Sequence, residues 1–328
     1  MSAAKPVLIT PGDPSGIGPE IALRAWSEGH RDIVLMGNID HLSAVARASG
    51  LNITFKRFDG DTRPAESYCY VSEIDWPVLP EPGTPAAANA PVIISAIEQA
   101  VEQVKQGRFS ALVTNPIAKS VLYQHGFEFP GHTEFLAALD GADSFPVMML
   151  ANADLRTVPL TIHIPLSEVE AAISAELFGR TIQGLEDGLH RYFGCPSPRI
   201  AIAGLNPHAG EDGHIGRFEA DTLSGFIKEA PTQTALLSGP YSADSLFHDS
   251  RRADYDAVLC MYHDQALIPV KTVDFHNTVN VTLGLRFIRT SPDHGTAFDR
   301  AATYDSSPDS LTSAINMAHS MAECAQNG

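Results

Sequence analysis

The sequence predicts an α/β protein whose opening glycine loop is not a dinucleotide fingerprint. Short apolar runs alternate with amphipathic stretches along all 328 residues, the pattern of strands alternating with helices. "LITPGDPSGIGPE", Leu8 to Glu20, runs from an apolar strand through Gly12, Gly16 and Gly18 into a helix start. Its spacing is G-x-x-x-G-x-G, whereas a Rossmann pyrophosphate loop needs G-x-G-x-x-G and a phosphate loop needs a following lysine. The chain carries 22 Lys plus Arg against 39 Asp plus Glu, a formal charge of −17. Such an excess argues against generic binding to nucleic acid or anionic membranes.

Taken in order, the strands are expected at 6–10, 32–36, 111–114, 146–151, 157–163, 198–204 and 255–262. Each is a short run rich in Val, Ile and Leu. Helices are expected at 18–27, 91–106, 167–192, 217–228 and 309–325. Gly18-Pro19-Glu20 opens the first with proline and an acid, and the second runs from Pro91 to Gly107. Five prolines between Trp76 and Pro91 mark a surface loop. No repeat, low-complexity tract or flexible linker divides the chain. Cys69, Cys195, Cys260 and Cys324 form no C-x-x-C pair and read as reduced, buried thiols. The N-terminus lacks a signal-peptide core and no apolar run reaches membrane-spanning length, so a cytoplasmic location is expected.

Three histidines fall at predicted strand ends: His163 in "VPLTIHIPLSE", His208 in "IAGLNPHAGEDGH" and His263 in "VLCMYHDQALIPVK". Ligands in open α/β sheets gather beyond the carboxyl ends of strands, and three imidazoles with open positions suit a catalytic metal. Packed or surface histidines are the alternative. His132 and Thr133 in "FPGHTEF" read either as a helix cap or as a polar substrate contact. Lys271, Asn280 and Arg289 form either a local anion site in an acidic chain or a solvated surface. Asp293, His294, Gly295 and Thr296 lie in a turn-rich loop of small residues that lets backbone amides approach a ligand.

In combination, "TPGDPSGIGPE", "TNPIAKSVL", "GHTEFLA", "GLNPHAGEDGHIG", "MYHDQALIPVK" and "VNVTLGLRFIRTSPDHGTAFD" resemble the 4-hydroxythreonine-4-phosphate dehydrogenase family of the vitamin B6 pathway. More distantly, the first and last motifs resemble the isocitrate and isopropylmalate dehydrogenases. The resemblance implies two α/β lobes flanking a cleft: an outer lobe of 1–135 with 285–328 on the nucleotide side, and an inner lobe of 136–284 with the metal site and dimer interface. It implies metal ligands at His163, His208 and His263 for one divalent ion (Zn, Co or Mg). Substrate contacts fall on His132, Thr133, Lys271, Asn280 and Arg289, and NAD or NADP lies along Asp293, His294, Gly295 and Thr296. Asp244 and Asp264 match further acids near that site, and His132 and Asp244 are the candidates for acid–base work. A homodimer with a shared active site is expected.

The implied reaction is oxidation of 4-phosphooxy-L-threonine to 2-amino-3-oxo-4-phosphooxybutanoate, which decarboxylates to 3-amino-2-oxopropyl phosphate. The alternatives are a dehydrogenase of 4-phospho-threonate or 4-phospho-erythronate, a metal-dependent hydrolase using the same histidines, and a catalytically dead phosphate-ligand sensor. Two departures from the family pattern bear on the adenosine contacts and on NAD against NADP. Arg286 replaces the usual proline, and "RAATYDSSPDS" follows Phe298-Asp299 where a glycine-containing stretch is usual.

Overall fold

A computed structural model describes residues 5–60 and 66–327; the tips of the expected outer lobe, residues 1–4 and 328, lie outside that range. The chain forms two compact units, one of residues 1–144 and 285–322, the other of 145–284 and 323–328. The first passage through unit 1 gives β1 (Val7–Thr10), α1 (Gly18–Ser27), β2 (Ile33–Gly37), α2 (Ile39–Ala48), β3 (Phe55–Arg57), β4 (Cys69–Glu73), α3 (Ala90–Lys105), β5 (Ala111–Thr114), α4 (Lys119–Leu122) and α5 (His132–Asp140). Unit 2 follows with β6 (Val147–Ala151), β7 (Arg156–Thr161), α6 (Val169–Ala172), α7 (Ala175–Phe193), β8 (Arg199–Ala203), α8 (Ser224–Glu229), β9 (Leu236–Tyr241), α9 (Asp249–Arg252), β10 (Ala257–Tyr262), α10 (His263–Val273) and β11 (Val279–Leu283). The chain then adds β12 (Arg289–Pro292) to unit 1 and ends in α11 (Asp309–Asn327).

Unit 1 strands run β3-β4-β2-β1-β5-β12, all parallel. Parallel strands are covered on both faces, which is why β1, β2 and β5 read as unbroken apolar runs. Helix α3 places Ile93, Ile97, Val101 and Val104 on one stripe, buried with Leu8 and Leu112. Strand order reverses between β1 and β5, so the loops after them stand at a topological switch point, where such sheets bind ligands.

In unit 2 the order is β11-β6-β7-β10-β8-β9. The pairs β11–β6 and β6–β7 are antiparallel, and β7, β10, β8 and β9 run parallel. The neighbours β7, β10 and β8 therefore end at one edge of the sheet, each followed by a histidine-bearing segment.

Several local expectations need correction. The helix expected at 167–192 is broken: Ser174 is extended and caps α7 by accepting from Leu177 N at 3.1 Å. The apolar run through Ile173 hides that stop. The helix expected at 217–228 begins as a π-helical turn, Glu219–Leu223, before α8. Strand β7 ends at Thr161, two residues short of His163. Cys69 and Cys260 are buried, and burial pushes both thiols up, but Cys195 and Cys324 are only partly buried.

Candidate active site

The glycine loop after β1 is a packing junction within unit 1. Asn115, at the end of β5, is buried and donates Nδ2 to Thr10 O at 3.1 Å and to Gly18 O at 3.4 Å. Asp13 N donates to Pro116 O, and Ile17 N donates to Thr296 O. Gly12 has φ +64°, and a Cβ there would stand 2.5 Å from Pro116 O, so no other residue fits without moving the backbone. The late loop is thereby fixed at Thr296, while His294 is exposed and a Cβ on Gly295 would meet nothing within 4 Å. The backbone at His294 and Gly295 is therefore open to solvent.

Also in unit 1, two cations, Arg289 and Lys119, stand near His132. Arg289, at the start of β12, is 3 % exposed and donates Nε and Nη2 to Thr114 Oγ1 at 3.2 and 2.8 Å. Burial pushes its pKa down to about 10, with Glu134 opposing. His132 begins α5, and Thr133 and Glu134 follow in its first turn. Burial first, then the charges of Arg289 and Lys119, push His132 down to about 3, so its ring is neutral at physiological pH. Its Nε2 is buried with no hydrogen-bond partner among the described residues. Lys119 received no role from sequence reasoning; its Nζ lies 3.5 Å from where a Cβ on Gly131 would be, at the start of α5. Its only sequence signal was its place in "TNPIAKS".

The three histidines of unit 2 line two adjoining hollows that share Leu166 and Tyr262. His208 faces the larger, about 650 Å³, with Asp244, Asn206 and Gln265. His163 and His263 face the smaller, about 290 Å³, with Asp264. The rings of His163 and His263 are 5.6 Å apart between centroids. His263 Nδ1 lies 2.7 Å from Asp264 Oδ1; a proton held there leaves the Nε2 lone pair for a metal. Asp244 hydrogen-bonds to Ser242, and that contact first, then the nearby His208, holds its carboxyl below the usual range. His163 and His208 both have left-handed backbone, φ 53° and 52°, which costs about 1–3 kcal/mol each and gathers at functional positions.

The donor set suits zinc or cobalt better than magnesium, because imidazole nitrogen favours them. The structure nevertheless brings only two of the rings into a pair. Among the described residues, no group of three His, Cys, Asp or Glu stands ready to hold a metal. Lys271, on α10, lies 5.6 Å from the Phe275 ring centroid. Asn280, on β11, has a buried Oδ1 with no hydrogen-bond partner among the described residues.

The family model of the pyridoxal phosphate biosynthetic protein PdxA matches residues 29–318. The chain belongs to the PdxA family. It is 45% identical to a 4-hydroxythreonine-4-phosphate dehydrogenase from Bradyrhizobium diazoefficiens, over 98% of each chain. With a protein of that name from Ruegeria sp. it shares 46% identity over 99% of each chain. A crystal structure of 4-hydroxythreonine-4-phosphate dehydrogenase from Klebsiella pneumoniae is 32% identical with a TM-score of 0.89, covering 97% of this chain and all of the other.

Arg286 and the stretch after Asp299 both make definite contacts within unit 1. Arg286 donates its backbone N and Nε to the two oxygens of Asp140, at 3.0 and 3.1 Å. Burial raises the Asp140 pKa, but hydrogen bonds from Ser144 and Arg286 outweigh it and hold the carboxyl below its usual value. Arg286 thus ties the end of α5 to the returning chain. The stretch after Asp299 is anchored on α1: Glu20 Oε1 accepts from Arg24 Nε at 2.8 Å and from Ser306 N at 3.1 Å.

Proposed function

We propose that this chain oxidises 4-phosphooxy-L-threonine with NAD to 2-amino-3-oxo-4-phosphooxybutanoate, whose decarboxylation gives 3-amino-2-oxopropyl phosphate, in pyridoxal phosphate biosynthesis. The observation that carries this reading is the end-to-end match to dehydrogenases of that name. His163, His208 and His263 would hold a divalent metal, which when bound supplies Lewis acidity toward a substrate oxygen. Asp293, His294, Gly295 and Thr296 would hold NAD or NADP, which when bound supplies the hydride acceptor.

The protein groups do the rest. Arg289 in unit 1, and separately Lys271 and Asn280 in unit 2, are the anion contacts proposed for each unit; binding energy spent on a phosphate fixes the reacting carbon. Neutral His132 and Thr133 hydrogen-bond the substrate. Asp244 stays ionised throughout the neutral range and accepts the hydroxyl proton. A β-keto acid loses carbon dioxide readily, leaving an enolate that takes up one proton at the amino-bearing carbon to give the aminoketone.

The same reading makes the enzyme a cytoplasmic homodimer with a shared active site. Among the described residues no helix is long and apolar enough to cross a membrane. In unit 2, Leu166, Ile268 and Phe275 are 67, 64 and 66% exposed, apolar surface that a second copy would cover. Mixing inactive His208→Ala and Lys271→Ala proteins under subunit exchange tests the sharing. Recovery of about a quarter of the sites is expected if the two side chains come from different subunits; exchange without recovery rejects it.

The function itself is tested by NADH absorbance with synthetic 4-phosphooxy-L-threonine and with 4-phospho-threonate, each with and without chelator. Faster turnover of the amino substrate, abolished by chelator, is expected. Preference for the hydroxy acid would move the assignment to that substrate.

A further inference from the structure

The segment that carries His208 has an unusual backbone. His208, Ala209, Gly210, Glu211 and Asp212 all have positive φ, between 45 and 80°. A left-handed turn costs roughly 1–2 kcal/mol for each non-glycine residue, and four of these five are not glycine. Something must hold it. Beneath it lies Glu219, 3% exposed, at the first position of the π-helical turn. Its Oε1 accepts from Asn206 N at 2.7 Å and its Oε2 from Asn206 Nδ2 at 3.0 Å. Asn206 is the residue from which the turn departs, and its carbonyl accepts from Ala209 N at 3.0 Å. A Cβ on Gly210 would stand 2.7 Å from Glu219 Oε2 and 2.5 Å from Gly216 O, so the turn is pressed directly onto the carboxylate. The side chains of His208, Glu211 and Asp212 are exposed above it.

A buried carboxylate is costly unless its hydrogen bonds are satisfied. π-Helical turns recur at functional sites. Both features fall on one residue, under the one proposed metal ligand whose turn is left-handed throughout. We propose that Glu219 is a positioning residue: through Asn206 it locks the left-handed turn, and thereby sets His208 for metal binding. The second half of the claim rests on the three-histidine reading above; the first half does not.

The test uses Glu219→Gln in the full-length protein. Glutamine keeps the shape but turns one acceptor into a donor facing Asn206 Nδ2. In metal-free protein, amide hydrogen exchange over residues 207–216 is expected to rise at least tenfold, with β8 and β10 unchanged. Unchanged exchange over 207–216 overturns the proposal, whatever the metal does. Titration with Co²⁺ alone, followed by its visible absorption, is expected to show about tenfold weaker binding and an altered band. If wild type binds Co²⁺ and His208→Ala does not, while Glu219→Gln keeps wild-type affinity and spectrum, the link from Glu219 to the ligand is rejected and the metal reading stands. If His208→Ala binds as well as wild type, the metal reading itself falls, and with it that link. Asn206→Ala, which removes the Nδ2 contact and the side chain packed over Gly216 while keeping the Asn206 N–H to Glu219, gives the same readouts should Glu219→Gln fail to fold. The double variant is expected to lose no more affinity than the worse single one, because both act through one contact.

Discussion

The loop cluster of unit 1 and the histidine hollows of unit 2 sit at the ends of parallel strands, yet they are built on opposite terms. In unit 1 the loops after β1 and β5 are buried and interlocked, with Asn115 filling the space between them. In unit 2 the segments after β7 and β8 are exposed and held in left-handed backbone at His163 and His208. The first arrangement spends glycine and hydrogen bonds on rigidity; the second keeps strain and exposed imidazoles where a ligand can reach them. The same fold feature, a strand's carboxyl end, is interlocked after β1 and β5 and left exposed and left-handed after β7 and β8.

Four substitutions or conditions break or sharpen this contrast. The largest effect is expected at Gly12→Ala, which combines a positive φ with a Cβ 2.5 Å from Pro116 O. It should lower stability by about 4 kcal/mol in urea denaturation, within the range of severe backbone and packing defects. Gly295→Ala, with nothing within 4 Å of the new Cβ, should leave stability unchanged and weaken cofactor binding instead. Equal losses at the two positions would erase the distinction.

Next comes acid. His41, buried in α2, is pushed down to about 4 by burial. In the unfolded chain its pKa is near 6.5, so between about pH 6.5 and 4 the unfolded state binds a proton that the folded state does not. Stability should therefore fall as pH drops through that window, by about 3 kcal/mol at about 1.4 kcal/mol per pH unit. His41→Leu should flatten the fall; an unchanged profile would show that other groups cause it.

Arg286→Pro removes both donors to buried Asp140. A loss of about 2 kcal/mol is expected, with NAD affinity unchanged. Weaker NAD binding at unchanged stability would return Arg286 to the cofactor side. Last, His208→Gly should raise stability by about 1 kcal/mol, because glycine adopts that backbone without strain. Destabilisation would mean that the turn is not strained.

Legibility in the sequence followed burial. Strands β1, β2, β5, β6, β7, β8 and β10 announced themselves as short, mostly apolar runs that are almost wholly buried. Strand β3, "FKR", is short and polar at the sheet edge, and β12, "RTSP", buries polar side chains that find partners inside, as Arg289 does on Thr114. Neither has an apolar run to read. Helix α10, "HDQALIPVKTV", carries Pro269 in its interior and read as a motif rather than a helix. Among site residues, the histidines were legible through their motifs and Lys119 was not. A lysine becomes an anion contact only through its neighbours at the start of α5, and those come from elsewhere in the chain. Left-handed backbone at His208 was equally invisible, since histidine adopts it more often than most residues but still only in a small minority of cases.

The central claim, that the strained histidines of unit 2 hold a metal, is tested most directly by elemental analysis of purified wild-type and His208→Ala proteins. The account predicts about one zinc, cobalt or similar divalent ion per wild-type chain, and less than about a tenth of that in a variant that stays folded. Full occupancy in the folded variant would contradict it.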